Sequence, residues 1–132
     1  MAEASDIHGT ALKNGSATLL ARIVGADAAD ITRADIDSIR YSVYLLDDGD
    51  ADARTVVAGH DDVELAVADV VFDTLRIDAI WTVDASGYNF RHELDVSTDP
   101  AFAIAGRRYL VEHRLTPAAG QVILARFRIH VI

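Results

Sequence analysis

Two runs near the C-terminus constrain this chain more than anything else in it. Tyr109, Val111, His113 and Leu115 alternate with Leu110, Glu112 and Arg114; further on, Ile123, Ala125, Phe127, Ile129 and Val131 alternate with residues that include Arg126, Arg128 and His130. A period of two sends successive side chains to opposite faces of an extended chain, so each run has a dry face and a wet face. Between them lies Thr116-Pro117-Ala118-Ala119-Gly120. Proline presets φ there and glycine is free to take a positive φ, which is hairpin chemistry. A hairpin with one apolar face must bury that face against another layer, and this points to a β protein.

The rest of the chain repeats the pattern more briefly. From Ser38 to Leu46, Ile39, Tyr41, Val43 and Leu45 alternate with Ser38, Arg40, Ser42 and Tyr44, and Asp47-Asp48-Gly49-Asp50 ends the run as a turn. Tyr88, Phe90, His92 and Leu94 share a face opposite Asn89, Arg91 and Glu93, after the turn Asp84-Ala85-Ser86-Gly87. Shorter strand candidates are Thr18–Val24, Thr55–Ala58 and Val63–Val67. Asp69 is placed to cap a short helix over 70–76, where Val71 and Phe72 would approach Leu75, although the β-branched residues also allow a strand. A short helical turn from Thr32 and a long connection from Asp95 to Gly106 complete the reading. The expected fold is mainly β: a two-layer antiparallel Ig-like β-sandwich of about seven strands, with at most one short helix near 70–76. Residues 18–132 form its single domain, and the polar residues 1–17 read as a flexible or partner-ordered N-terminal arm.

Composition narrows the function. The chain has 132 residues, 51% of them hydrophobic, enough for a packed core. Its net charge of −9 is unsuited to nucleic acid or an anionic membrane surface, both of which demand concentrated Lys and Arg. The absence of cysteine removes disulfides, thiolate zinc sites and thiol nucleophiles. Met1-Ala2-Glu3-Ala4-Ser5-Asp6 has no apolar core of a signal peptide, and no apolar run is long enough to span a bilayer. A cytoplasmic or virion-associated location is expected.

Three groups of residues invite a chemical reading. The acidic run Asp47, Asp48, Asp50, Asp52 spaces carboxylates like the first calcium ligands of an EF-hand, but Ala53 and Gly59 stand where the turn glycine and the bidentate glutamate are required. His92 and His113 face the same dry side of late strands, yet no third ligand follows at a zinc spacing, and Val96 occupies the second histidine position of an H-E-x-x-H pattern. Tyr44 is an aromatic on a wet face, the one stacking candidate among aromatics otherwise assigned inward. No G-x-S-x-G elbow and no glycine-rich phosphate loop is present. No catalytic, cofactor-binding or metal site is therefore assigned.

The stretch Tyr109–Val131, Y-L-V-E-H-R-L-T-P-A-A-G-Q-V-I-L-A-R-F-R-I-H-V, resembles the closing hairpin of Ig-like N-terminal domains of phage baseplate upper proteins. Trp81–Phe90, with G-Y-N-F, is similar to segments of small uncharacterised bacterial and prophage β-sandwich proteins. The resemblance implies a non-enzymatic structural or interaction module of phage or prophage origin, virion- or tail-associated. Its partners would be proteins, a second copy of the chain among them. The alternative is a small-ligand or carbohydrate-binding sandwich using Tyr44 and the 47–52 loop.

Overall fold

The longest alternations become the longest strands. The computed structural model describes residues 7–25, 29–47, 49 and 53–132. In chain order the strands are β1 (Ile7–Ala11), β2 (Thr18–Ala21), β3 (Ile36–Leu46), β4 (Arg54–Val56), β5 (Val63–Leu65), β6 (Val71–Arg76), β7 (Tyr88–Glu93), β8 (Arg108–Pro117) and β9 (Ile123–Val131). A single helical turn, α1 (Val67–Val70), leads into β6, and a 3₁₀ turn at Arg33–Asp35 precedes β3. The protein is mainly β, as its periodicity requires, and its strands form two sheets.

The larger sheet has the order β1-β9-β8-β3-β4, with β5 also on the β3 edge. The predicted hairpin pairs in register from Arg108↔His130 to Leu115↔Ile123. Strand β3 runs antiparallel to β8, Tyr41 opposite His113 and Val43 opposite Val111. The smaller sheet has the order β2-β7-β6. Its central strand packs across the larger sheet: the Phe90 ring centroid lies 4.9 Å from that of His113 and 6.3 Å from that of Phe127, and Tyr41 lies 4.8 Å from His92. The core is the space between these inner faces, filled by Tyr41, Val43, Phe90, Val111, Phe127 and Ile129 among others.

Three expectations need correction. Residues 7–17 are not a free arm. β1 lies parallel to β9, with Ile7 opposite Phe127 and Ala11 opposite Val131, and Ala11 is buried. The turn that follows is tied down by Asn14 N–H donating to the Phe102 carbonyl at 2.7 Å and by the Ser16 hydroxyl donating to Leu94 O. An unpaired edge on β9 offers a row of backbone groups, and a polar segment can fill it with backbone bonds alone. Residues 1–6 lie outside the described residues.

The expected helix at 70–76 is strand β6, with helix confined to 67–70. Val71 is buried opposite Phe90, and pairing at the sheet edge overrides the local capping signal for these β-branched residues. These two segments raise the expected seven strands to nine among the described residues. Finally, Asn89 is not on a wet face. It is buried, its amide donating to Ile23 O at 2.9 Å and its Oδ1 accepting from Ile23 N at 2.7 Å. A buried amide that satisfies a backbone donor and acceptor together does the work of a missing strand partner.

Candidate functional site

The outer face of the larger sheet concentrates charge of one sign. By alternation Arg40 on β3, Arg108 and Arg114 on β8, and Arg126 and Arg128 on β9 point away from the core, and the register sets them side by side. Arg40 pairs with Arg114, Arg128 with Leu110, and Arg108 with His130. β1 adds His8 beside Arg128, and Thr10 beside His130. Arg54 of β4 lies over the Tyr44 ring, 4.2 Å from its centroid. The strand carboxylates among them are Glu112 and Glu64, with Asp62 at the margin; Arg40 meets Asp62 at 3.6 Å and Glu64 at 3.7 Å. Arg108 and Arg114 are exposed and make no ion pair among the described residues. A chain with net charge −9 thus places about half of its eleven arginines on one sheet face. Leu110, on this same outer face, is nonetheless buried; it sits between Tyr44 and Arg128 in the register, whose long side chains flank it.

A second group of polar side chains lies between the layers. Tyr41, His92 and His113 meet ring to ring, as their shared dry face requires, and are joined by His60 from the turn before β5. His60 Nε2 lies 2.8 Å from the Asp99 carbonyl, which can only accept, so Nε2–H donates; in the neutral ring Nδ1 then accepts the Tyr41 hydroxyl at 2.8 Å. His92 Nδ1 and His113 Nε2 are 2.8 Å apart and hydrogen-bond directly. These imidazoles are therefore spent on each other rather than on a shared ion, and among the described residues no three metal-ligating side chains converge.

Burial, with a smaller contribution from His60, lowers the His92 pKa to about 4. Burial and then His92 hold His113 well below the usual imidazole range, opposed only by the backbone of Ala125. Nδ1 of His113 is buried and has no hydrogen-bond partner among the described residues. Between His92 Nδ1 and His113 Nε2 one nitrogen donates and the other accepts, according to the tautomer. When His92 Nδ1 is the donor, His92 Nε2 is an acceptor, and it makes no hydrogen bond among the described residues.

Beside this cluster is a cavity of about 590 Å³ between α1 with β5 on one side and β7 with residues 95–99 on the other. Tyr41, His60 and His92 form part of its lining, and Asp69, Glu93, Asp95 and Asp99 with Arg91 contribute its charge. Burial and then the Asp95 carboxylate raise the Tyr41 pKa.

The structure separates the residues singled out from the sequence. His92 and His113 come together, buried between the two sheets. Tyr44 is covered by Arg54, and of the acidic run only Asp47 is described, its Oδ1 accepting Gly49 N–H at 2.8 Å. Asp48, Asp50 and Asp52 lie outside the described residues. Phe72 and Trp81 are half-buried rather than core; Arg76 lies over the Phe72 ring, and Trp81 Nε1 donates to Asp84 at 3.1 Å. Sequence reasoning missed His60, which follows a turn glycine and carries no periodic signal. It also missed the arginine face, although Arg126, Arg128 and Arg114 were already assigned outward and only their cross-strand register was lacking. Among the described residues no helix is long and apolar enough to cross a membrane. Comparison with protein-family models, with curated proteins and with solved structures finds no match to this chain.

Proposed function

We propose that this chain is a non-enzymatic protein-interaction module of Ig-like strand order, working through the arginine-bearing face of its larger sheet. The order β9-β8-β3-β4 on one side and β2-β7-β6 on the other follows the G-F-C-C′ and B-E-D arrangement of variable-type Ig domains. A tyrosine near the start of the penultimate strand of such domains bonds back to the backbone a few residues upstream. Here the Tyr109 hydroxyl, at the start of β8, accepts Ile104 N–H at 3.1 Å. Val111, two residues on, stands where antibody domains carry a cysteine.

The observation that carries the functional reading is the segregation of charge. A sheet face bearing Arg108 and Arg114, free of ion pairs among the described residues, suits an acidic protein surface, since Arg brings planar, multidentate donors to carboxylates. The remainder of this chain is itself such a surface, so the partner proposed first is a second copy meeting the face head to tail. The resemblance of residues 109–131 to baseplate domains supports the further proposal that the assembly is a phage- or prophage-derived structure, virion- or tail-associated. The small-ligand alternative at Tyr44 loses its stacking face to Arg54.

Sedimentation velocity at low and high ionic strength tests the reading. Wild type is expected to associate at low salt and to dissociate as salt screens the contact. The double variant Arg108→Glu, Arg114→Glu is expected to stay monomeric with an unchanged melting curve. A wild type that is strictly monomeric at low salt, or a double variant that associates equally well, would overturn it.

A further inference from the structure

We propose that the cavity between α1 and β7 is a binding site for a small organic cation, an amine or amidine carried on a flat apolar body. Its volume of about 590 Å³ falls in the range of small-molecule sites. The lining carries Tyr41 and Phe72 rings with Val70 and Leu65, so an apolar body is accommodated. The charge around it is one-sided: Asp69, Glu93, Asp95 and Asp99 stand against Arg91 alone.

The innermost polar atoms point the same way. The Tyr41 hydroxyl and both nitrogens of His60 are committed within the protein. His92 is 5% exposed, its Nδ1 is committed to His113, and it lines the cavity. Among the described residues its Nε2 makes no hydrogen bond, and the ring forms part of the cavity wall. In the tautomer that donates from Nδ1 to His113, that atom is an acceptor. Four carboxylates face one guanidinium, Arg91, and one hydroxyl, Thr98, so acceptors outnumber donors in the lining, and a ligand rich in N–H donors with a positive charge completes it. An unpaired acceptor on a buried ring is also a cost that such a ligand removes.

The test is an NMR titration of the full chain at neutral pH with three isosteric probes: benzamidinium, neutral benzamide and anionic benzoate. Benzamidinium is expected to give saturable shifts at the amides of His60, Arg91 and His92 and to move the His92 Nε2 resonance to that of a hydrogen-bonded nitrogen. Benzamide should bind roughly tenfold more weakly, a difference of about one charge-assisted contact. Benzoate should not bind. The exposed pair Asp69→Asn, Asp95→Asn should weaken benzamidinium roughly fivefold and leave benzamide unchanged, as partly solvated ion pairs would. Equal binding of all three probes, shifts that spare His92, or no saturable shift with benzamidinium would each overturn the proposal.

Discussion

The larger and smaller sheets are built from similar residues but held together differently. In the larger sheet β8 pairs with β9 from Arg108↔His130 to Leu115↔Ile123 without a break, and with β3 over nearly its whole length. Stability there comes from continuous ladders above one apolar face. In the smaller sheet β6 meets β7 in register only at Val71↔Phe90 and Arg76↔Tyr88, with an irregularity between. β2 adds a short ladder to β7, from Thr18↔Glu93 to Ala21↔Phe90, and side chains supply the rest. Asn89 bridges the backbone of Ile23, and Arg33 Nε donates to Val71 O at 2.7 Å. Tyr88 donates to Asp78 at 2.6 Å, and Arg22 meets Asp84 at 2.7 Å. Arg22 and then the backbone N–H of Gly87 hold the Asp84 carboxyl well below the usual carboxylate range. A ladder spreads its stability over many equivalent bonds, whereas a side-chain tie concentrates it in one residue.

The largest expected effect tests what the two sheets share. Phe127, 2% exposed on β9, packs against Phe90 of β7, so Phe127→Ala should cost about 3–5 kcal/mol in urea unfolding. A loss below about 1 kcal/mol would mean that the layers do not depend on this contact.

Next in size is the pH dependence of the layer contact, set by His92 and His113. Both remain neutral in the fold while the unfolded imidazoles titrate near 6.5. Below that pH the unfolded state binds more protons, so stability falls as pH falls. For His92 the fall continues to a pH of about 4 and amounts to about 3 kcal/mol, with His113 acting in the same direction. Denaturation midpoints measured between these limits should decline steadily, and His92→Gln should flatten the curve. A flat wild-type profile would contradict the buried pair.

The third prediction is specific to the smaller sheet. Asn89→Ala leaves the buried Ile23 N–H unpaired, while Ile23 O keeps the Ile31 N–H at 3.1 Å, and should cost about 2 kcal/mol, with faster amide exchange at Ile23. Glu112→Ala, at an outward position of the larger sheet, should change stability by less than about 0.5 kcal/mol. Similar costs for the two would erase the distinction drawn between the sheets.

The smallest effect lies in the hairpin turn. Gly120 has φ +99° with open space around its Cα, so Gly120→Ala adds backbone strain without a clash and should cost about 1 kcal/mol. A stabilising result would mean that the turn relaxes away from its left-handed geometry.

The sequence by itself determined the elements whose information is local. The alternations at 39–45, 88–94, 109–115 and 123–131 located four strands and their dry faces, because a side-chain period of two leaves no other way to segregate apolar residues. Proline and glycine placed the hairpin turn. The same alternation put His92 and His113 on the inner face, but not within reach of each other, since that depends on how β7 crosses β8. Tertiary structure alone decided the remainder. β1 is a strand because β9 leaves an edge open, and β6 is a strand because Val71 reaches Phe90. Asn89 is turned inward, where its Oδ1 is the partner of the Ile23 N–H. The arginine face and the cavity beside His60 are products of register and of loop closure. Residues far apart in the chain meet there, and no periodicity along the chain encodes which of them become neighbours.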